Sequence, residues 1–320
     1  MDAPVPQSLQ PPQPLQLLSP SQEGAGKRAL VTGLAGFTGR YVAAELRAAG
    51  YRVTGTTVPG HGGVSEDMLA VDLTDRAAVA AMVQQVQPDV VVHLAAIAFV
   101  AHADIEQIYR VNVVGTRNLL EGLAALAKKP SAVLLASSAN IYGNADLPML
   151  GEDVPPAPAN DYAVSKLSME YMARLWMDKL PIIITRPFNY TGVGQHENFL
   201  LPKIVAHFRR RAADIELGNL HVWRDFSDVR MVAAAYRQLL ARVPAGQTFN
   251  ICSSTGYSLG EALDMMGRIA GYQINVHVNP AFVRANEVVR LVGDNTRLAG
   301  VVGEIVPVPL EQTLRWMYEA

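Results

Sequence analysis

From Arg28 onward, short apolar runs alternate with longer stretches in which apolar residues recur every three or four positions. The short runs predict strands at Ala29 to Thr32, Arg52 to Thr57, Met68 to Val71, Asp89 to Leu94, Ala132 to Ala136 and Ile182 to Thr185. The longer stretches predict helices near 38 to 49, 75 to 86, 104 to 127 and 162 to 179. Strands alternating with helices imply a parallel sheet with helices on both faces, so the expected fold class is α/β, a doubly wound parallel sheet. After Arg186 the pattern loosens into loops, shorter helices and a strand at Thr248 to Cys252, which predicts a smaller, interleaved α/β lobe. Residues 27–185, with returns near 221–256, are assigned to the sheet domain, and 186–220 with 257–320 to a substrate-binding lobe. Residues 1–26, rich in Pro, Gln and Ser, lack the basic and apolar regions of a secretory signal and are expected to form a disordered tail.

Composition narrows the class. With 320 residues, 50% of them hydrophobic, the chain has core enough for one or two domains. A net charge of −2 gives no electrostatic case for a nucleic-acid partner, and Arg209, Arg210 and Arg211 read as a solvated helix end. The single cysteine, Cys252, excludes an intramolecular disulfide and a thiolate zinc cage and suits a reducing compartment. No apolar run reaches membrane-spanning length, so a cytoplasmic chain without a metal or a membrane partner is expected.

Thr32-Gly33-Leu34-Ala35-Gly36-Phe37-Thr38-Gly39 falls where the first strand meets the first helix. Gly33 permits the tight turn, Gly36 lets backbone approach a pyrophosphate, and Gly39 allows close helix packing. The first N–H groups of the helix, around Phe37, Thr38 and Arg40, are left to bind the anion. Together these features describe a Rossmann-type dinucleotide site. Asp72, with Leu73, follows the third strand and is placed to reach the adenine edge, or else serves as a turn residue. The second strand ends in Gly55-Thr56-Thr57, where a cofactor with a free ribose 2′-hydroxyl normally meets Asp or Glu. The missing acid favours NADP(H), its 2′-phosphate met by Arg40 or the threonine hydroxyls, with NAD(H) as the alternative. Leu94, Ala95 and Ala96 end the fourth strand with groups small enough to let a nicotinamide riboside pass, and His93 before them is read as structural. Asn112 either bonds backbone to hold the active-site strand or is a satisfied core amide.

In Asn160-Asp161-Tyr162-Ala163-Val164-Ser165-Lys166, a phenol and an amine share one helical face, one turn apart. A phenol with a pKa of about 10 exchanges protons poorly near neutrality; the ammonium is expected to draw that value down. Asn160 or Asp161 can cap this helix, and Pro155, Pro156 and Pro158 exclude an earlier start. Ala136-Ser137-Ser138-Ala139-Asn140-Ile141-Tyr142-Gly143 closes the fifth strand, at the sheet edge where doubly wound folds present catalytic groups.

From about residue 28 to the end, the chain resembles the extended short-chain dehydrogenase/reductase family. The glycine turn, Ser138, Tyr162 and Lys166 match in order and spacing. The resemblance implies that Ser138, Tyr162 and Lys166 form the catalytic set, the serine being the one four residues before Tyr142, which selects Ser138 over Ser137. The second half narrows the likeness to the sugar-nucleotide branch, most closely the GDP-4-keto-6-deoxy-D-mannose reductases and their GDP-mannose 4,6-dehydratase relatives. It rests on Thr185-Arg186-Pro187-Phe188-Asn189-Tyr190-Thr191-Gly192-Val193-Gly194-Gln195, on Leu217-Gly218-Asn219-Leu220 with Arg224-Asp225-Phe226, and on Arg284-Ala285-Asn286-Glu287 before Gly293-Asp294. The resemblance implies that Asn189, Lys203, Arg224 and Arg284 face a nucleotide diphosphate, that Glu287 bonds its ribose, that Ser138 and Asn140 face the sugar, and that the chain is a homodimer. Two arginines and a lysine suit a pyrophosphate independently, because guanidinium bonds phosphate oxygens bidentately.

One departure bears on the reaction. Sugar 4,6-dehydratases need a carboxylate beside the catalytic hydroxyl to remove the C5 proton and expel the C6 hydroxyl, whereas Ser138 is followed by Ala139 and Asn140. The expected activity is therefore NADPH-dependent reduction of the C4 ketone of a GDP-linked 4-keto-6-deoxyhexose. A cofactor-retaining 4-epimerase is the alternative, and a non-catalytic NADP-binding sensor or scaffold a further one.

Overall fold

Seven parallel strands form the central sheet of this computed structural model. They are β1 (Arg28–Thr32), β2 (Arg52–Thr57), β3 (Met68–Ala70), β4 (Val90–His93), β5 (Ala132–Ala136), β6 (Ile182–Pro187) and, late in the chain, a strand at Thr248–Ile251. The structure describes residues 22–60, 67–98, 104–145, 147–282, 288–303 and 305–320. The sheet runs β3, β2, β1, β4, β5, β6 and then the Thr248–Ile251 strand, with β1 paired to β2 through Ala29 and Val53 and to β4 through Ala29 and Val90. Winding reverses between β1 and β4, which opens a crevice at the carboxyl ends of those strands.

The central strands are buried on both faces, which is why β1, β4 and β5 read as apolar runs. Along β1, Ala29 and Val31 join one core and Leu30 the other. The first core is closed by α1 (Phe37–Ala48), the second by α2 (Arg76–Val86). The helix expected near 104 to 127 appears as α3 (Ile105–Tyr109), a π-helical stretch (Arg110–Gly115) and α4 (Thr116–Ala124). The wider π turn carries Asn112, whose buried amide accepts from Ile97 N–H at 2.9 Å and donates to Ile97 C=O at 3.2 Å. Of its two expected readings, Asn112 therefore follows the backbone-bonding one.

Helix α5 (Asp161–Arg174) begins at Asn160, whose side chain accepts from Ala163 N–H at 2.9 Å. It ends short of the expected 179 because Leu180, only 2% exposed, must turn into the core before Pro181 leads into β6.

Beyond β6 the chain forms β7 (Asn189–Thr191), α6 (Leu200–Arg209), β8 (Asp214–Leu217) and β9 (Trp223–Asp228), then α7 (Val229–Arg242) and β10, the Thr248–Ile251 strand of the main sheet. It continues through β11 (Gly256–Ser258), α8 (Leu259–Ala270), β12 (Asn275–Val278), β13 (Arg290–Leu291), α9 (Thr296–Val302) and α10 (Leu310–Glu319). Strand β9 is flanked by antiparallel β11 and parallel β13, with β7 also paired to it, while β8 pairs with β12. A separate core under α6, α8 and α10 gathers Leu201, Ile204, Phe208, Leu263, Met266 and Leu314.

The chain is anchored earlier than its composition suggests. Residues 22–26 were expected to belong to the tail, but Glu23 accepts from Arg237 Nη1 at 2.6 Å and Gly24 N–H donates to Ala49 C=O at 3.0 Å. Arg237 of α7 bonds Glu45 of α1 as well, at 2.9 Å. A carboxylate meeting a largely buried guanidinium holds this segment where apolar content alone could not.

Candidate active site

The glycine turn is built to its limits. Gly33 has φ +72, and a Cβ there would stand 3.0 Å from the Ala95 backbone. At Gly39 a Cβ would strike the Gly33 carbonyl and lie 2.6 Å from Leu34 Cα. Gly36 is different: its Cβ would meet only the Gly33 carbonyl, at 3.1 Å, and otherwise fill open cleft. That open approach at the start of α1, with no side-chain cap on its first N–H groups, fits a dinucleotide pyrophosphate.

The cleft has a volume of about 600 Å³ and runs from this turn across the ends of β4 and β5 to β7 and the start of α6. Gly33, Gly36, Phe37, Thr38, Gly39, Arg40, Leu94, Ala96, Ser138, Asn140, Tyr162, Lys166 and Asn189 all line it. Ala95 lies beneath, where its N–H is 3.2 Å from Thr32 Oγ1. Among the described residues, no Asp or Glu lines the cleft.

Tyr162 and Lys166 project from α5 on one face as their spacing requires, and both are buried. The Lys166 ammonium donates to Ala136 C=O at 2.8 Å, which ties α5 to the end of β5. Burial pushes Lys166 down to about 8, opposed by Glu170 one turn further on. Tyr162 departs from expectation. Its phenol is pushed up to about 12, because burial penalises the phenolate more than the hydrogen bond from Ser138 favours it. At neutral pH the phenol thus holds its proton. His93 behaves as a structural residue: its ring nitrogens meet Thr32 Oγ1 at 2.7 Å and Thr116 Oγ1 at 2.8 Å, and burial pushes it down to about 3.

Other expected residues have protein partners of their own. Asp72 is exposed and its Oδ1 accepts from Thr74 N–H and Oγ1, both at 2.8 Å, while Leu73 is buried in the core. Arg40 does line the cleft, but its Nη2 donates to Gly194 C=O at 3.1 Å. Thr56 and Thr57 are both buried, with Thr56 Oγ1 accepting from Gly33 N–H at 3.2 Å. Lys203 donates to Glu216 C=O at 2.7 Å and lies 4.6 Å over the Phe282 ring. Arg224 donates to Trp223 C=O at 2.9 Å and Val289 C=O at 3.3 Å. Neither Lys203 nor Arg224 lines the cleft. Arg284 and Glu287 lie outside the described residues.

Sequence reasoning assigned no role to Tyr190. Its hydroxyl is 2.8 Å from Thr38 Oγ1 and its ring stacks on Phe37, so a residue after β6 closes over the start of α1. Ser137 was passed over for its neighbour, yet its buried hydroxyl has no protein partner and lines the cleft, as does Asn189 Nδ2. Only a count of buried polar atoms reveals them.

A chain with this sheet, this cradle and this tyrosine–lysine pair belongs to the NAD dependent epimerase/dehydratase family, whose model matches residues 29–252, and it is an enzyme of the extended short-chain dehydrogenase/reductase type. Among its curated relatives, a GDP-6-deoxy-D-talose 4-dehydrogenase of Aggregatibacter actinomycetemcomitans is 36% identical, over 86% of this chain and 90% of that one. A GDP-6-deoxy-D-mannose reductase of Pseudomonas aeruginosa is 32% identical, over 90% of this chain and 95% of that one. The solved structure of RMD from Pseudomonas aeruginosa complexed with NADPH superposes with a TM-score of 0.80 at 31% identity, covering 92% of this chain and 98% of that one. Among the described residues, no helix is long and apolar enough to cross a membrane and no cluster of His, Cys, Asp and Glu could hold a metal ion.

Proposed function

We propose that this enzyme reduces the C4 ketone of a GDP-linked 4-keto-6-deoxyhexose to a GDP-6-deoxyhexose, using NADPH. The observation that carries the reading is a cleft that brings together Ser138, Tyr162 and Lys166 but no carboxylate among its described residues. Dehydration of a hexose needs a base for C5; reduction needs only a hydride, a proton and a held carbonyl. Similarity to a GDP-6-deoxy-D-mannose reductase and a GDP-6-deoxy-D-talose 4-dehydrogenase supports both the nucleotide and the position of attack.

The glycine turn, Phe37 and Thr38 hold the cofactor's pyrophosphate, and Leu94 and Ala96 receive its nicotinamide end. When bound, NADPH supplies the hydride. Tyr162, protonated because burial holds its phenol up to about 12, gives its proton to the carbonyl oxygen. Ser138 orients that oxygen, and Lys166 holds the cofactor ribose with its ammonium near the phenol. Asn189 lies at the nucleotide end, its unpartnered Nδ2 free to donate to the substrate diphosphate. NADPH is preferred because β2 ends in two threonines, with no acid to repel a 2′-phosphate, and the NADPH complex of a structural relative supports that choice. Cytoplasmic location and a homodimeric state belong to the same proposal, the latter testable by sedimentation.

The test is a pair of incubations. Preformed GDP-4-keto-6-deoxymannose with NADPH should give one 6-deoxyhexose in step with cofactor loss, while GDP-mannose with NADP should give no keto sugar. Dehydration at a rate comparable to reduction would overturn the assignment. Interconversion of two C4 epimers without net NADPH loss would replace it by the epimerase.

A further inference from the structure

Behind the cleft lies a buried ionic network that the proposed chemistry does not use. Arg186, at the end of β6, grips Glu170 of α5 bidentately, Nε to Oε1 at 3.0 Å and Nη2 to Oε2 at 2.8 Å. The two side chains are 5% and 1% exposed. Arg186 Nη1 also donates to the Tyr142 hydroxyl and to Glu152 C=O, each at 3.0 Å. The Tyr142 hydroxyl donates in turn to Asn250 Oδ1 at 2.7 Å, and Asn250 Nδ2 donates to Leu150 C=O at 2.8 Å. Removing one charge from such a network strands its partner away from water.

Its position points to function. Glu170 follows Lys166 by one helical turn, and Tyr142 follows Ser138 by four residues. Arg186 thus joins the helix that carries Tyr162 and Lys166 to the loop that carries Ser138. We propose that Glu170 is a positioning residue for the reaction: locked by Arg186, it sets the spacing of the two catalytic elements and supplies the negative charge that keeps the Lys166 ammonium ionised in a buried site. This inference rests on the proposed catalytic set but not on the identity of the sugar.

The groups facing Lys166 are few. Among the described residues these are Glu170 on α5 and His93 on β4, which burial keeps neutral, with Tyr162 one turn before Lys166 on the same face; behind Glu170 stand Arg186 and Tyr142. Burial disfavours the ammonium and Glu170 opposes it. With Glu170 neutralised, Arg186 becomes an uncompensated cation within the same network and pushes in the direction of burial.

The experiment follows Lys166 itself. The chain has six lysines, so 13C-lysine labelling with Lys166→Gln as the assignment control gives a resonance that titrates without substrate or cofactor. Glu170→Gln should move its midpoint down by about one pH unit or more. Glu170→Gln with Arg186→Gln, which restores neutrality, should bring the midpoint back to within about half a unit of wild type. Glu170→Asp keeps the charge but shortens the reach; it should leave the midpoint in place while kcat with NADPH and the keto sugar falls at least tenfold at unchanged KM. It also serves if the Gln variants do not fold. A midpoint indifferent to Glu170→Gln overturns the electrostatic role, and wild-type kcat in Glu170→Asp overturns the positioning role. Failure of the wild type to reduce any GDP-keto sugar would instead remove the proposed substrate and leave the titration result standing.

Discussion

Arg237 on α7 lies between two carboxylates, Glu23 at 2.6 Å and Glu45 at 2.9 Å, and is itself 10% exposed. Changing Glu23 to Ala removes a partner that is 24% exposed but leaves Arg237 held by Glu45, 12% exposed. That loss should cost about 1 kcal/mol, at the upper end for a partly exposed pair, and Glu45→Ala should cost slightly more. The double variant takes both carboxylates from a largely buried guanidinium, a change of the kind that costs about 3–5 kcal/mol. The three effects should therefore be non-additive, the pair exceeding the sum of the singles by about 1 kcal/mol or more. Urea unfolding of wild type, both singles and the double gives the cycle directly, with midpoints converted at constant m. Truncation adds a check. Removing residues 2–26 deletes Glu23 and the Gly24 to Ala49 hydrogen bond and should lower the unfolding midpoint below that of a chain lacking only 2–21. Strict additivity, or equal midpoints for the two truncations, would refute the anchoring of the N-terminal segment by Arg237.

Tyr162→Phe removes the proton donor and leaves the glycine turn intact, so turnover should fall by about 10²–10⁴ while NADPH still binds; retention of more than about a tenth of the wild-type rate would rule the phenol out as general acid. Lys166 has its pKa lowered to about 8 by burial, so its ammonium is present below that pH and lost above it. The kcat/KM profile should accordingly fall as pH rises through about 8, and Tyr162, raised to about 12, should add no limb below pH 10. A profile flat to pH 10 would mean that the ammonium is not required. Thr57→Asp should move cofactor preference toward NADH; a wild type that already prefers NADH tenfold, about 1.4 kcal/mol, would contradict the reading of the β2 terminus.

Periodicity and glycine spacing made the sheet domain legible in the sequence, because those signals are local. Strands buried on both faces, such as β4 and β5, read as apolar runs, a helix over a sheet repeats its apolar residues every three or four positions, and a backbone that touches backbone at Gly33 and Gly39 admits no side chain. For the same reason Tyr162 and Lys166 could be placed together from their spacing alone. The second lobe was harder to read, because β7, β8, β9, β11, β12 and β13 owe their existence to pairing across long separations, as Asn189 pairs with Phe226.

What only the tertiary structure decided is where charges and protons sit. The tyrosine–lysine spacing suggested a lowered phenol pKa, whereas burial of the pair reversed the sign. Lys203 and Arg224 carry the right charge for a diphosphate, and only the fold shows that each also donates to a backbone carbonyl, of Glu216 and of Trp223. Glu23 lay in a segment whose composition predicted a tail, and a guanidinium more than two hundred residues away ordered it. Hydrophobic pattern is a property of neighbours in sequence; electrostatic environment depends on every group within a few ångströms, and those groups come together only when the chain has folded.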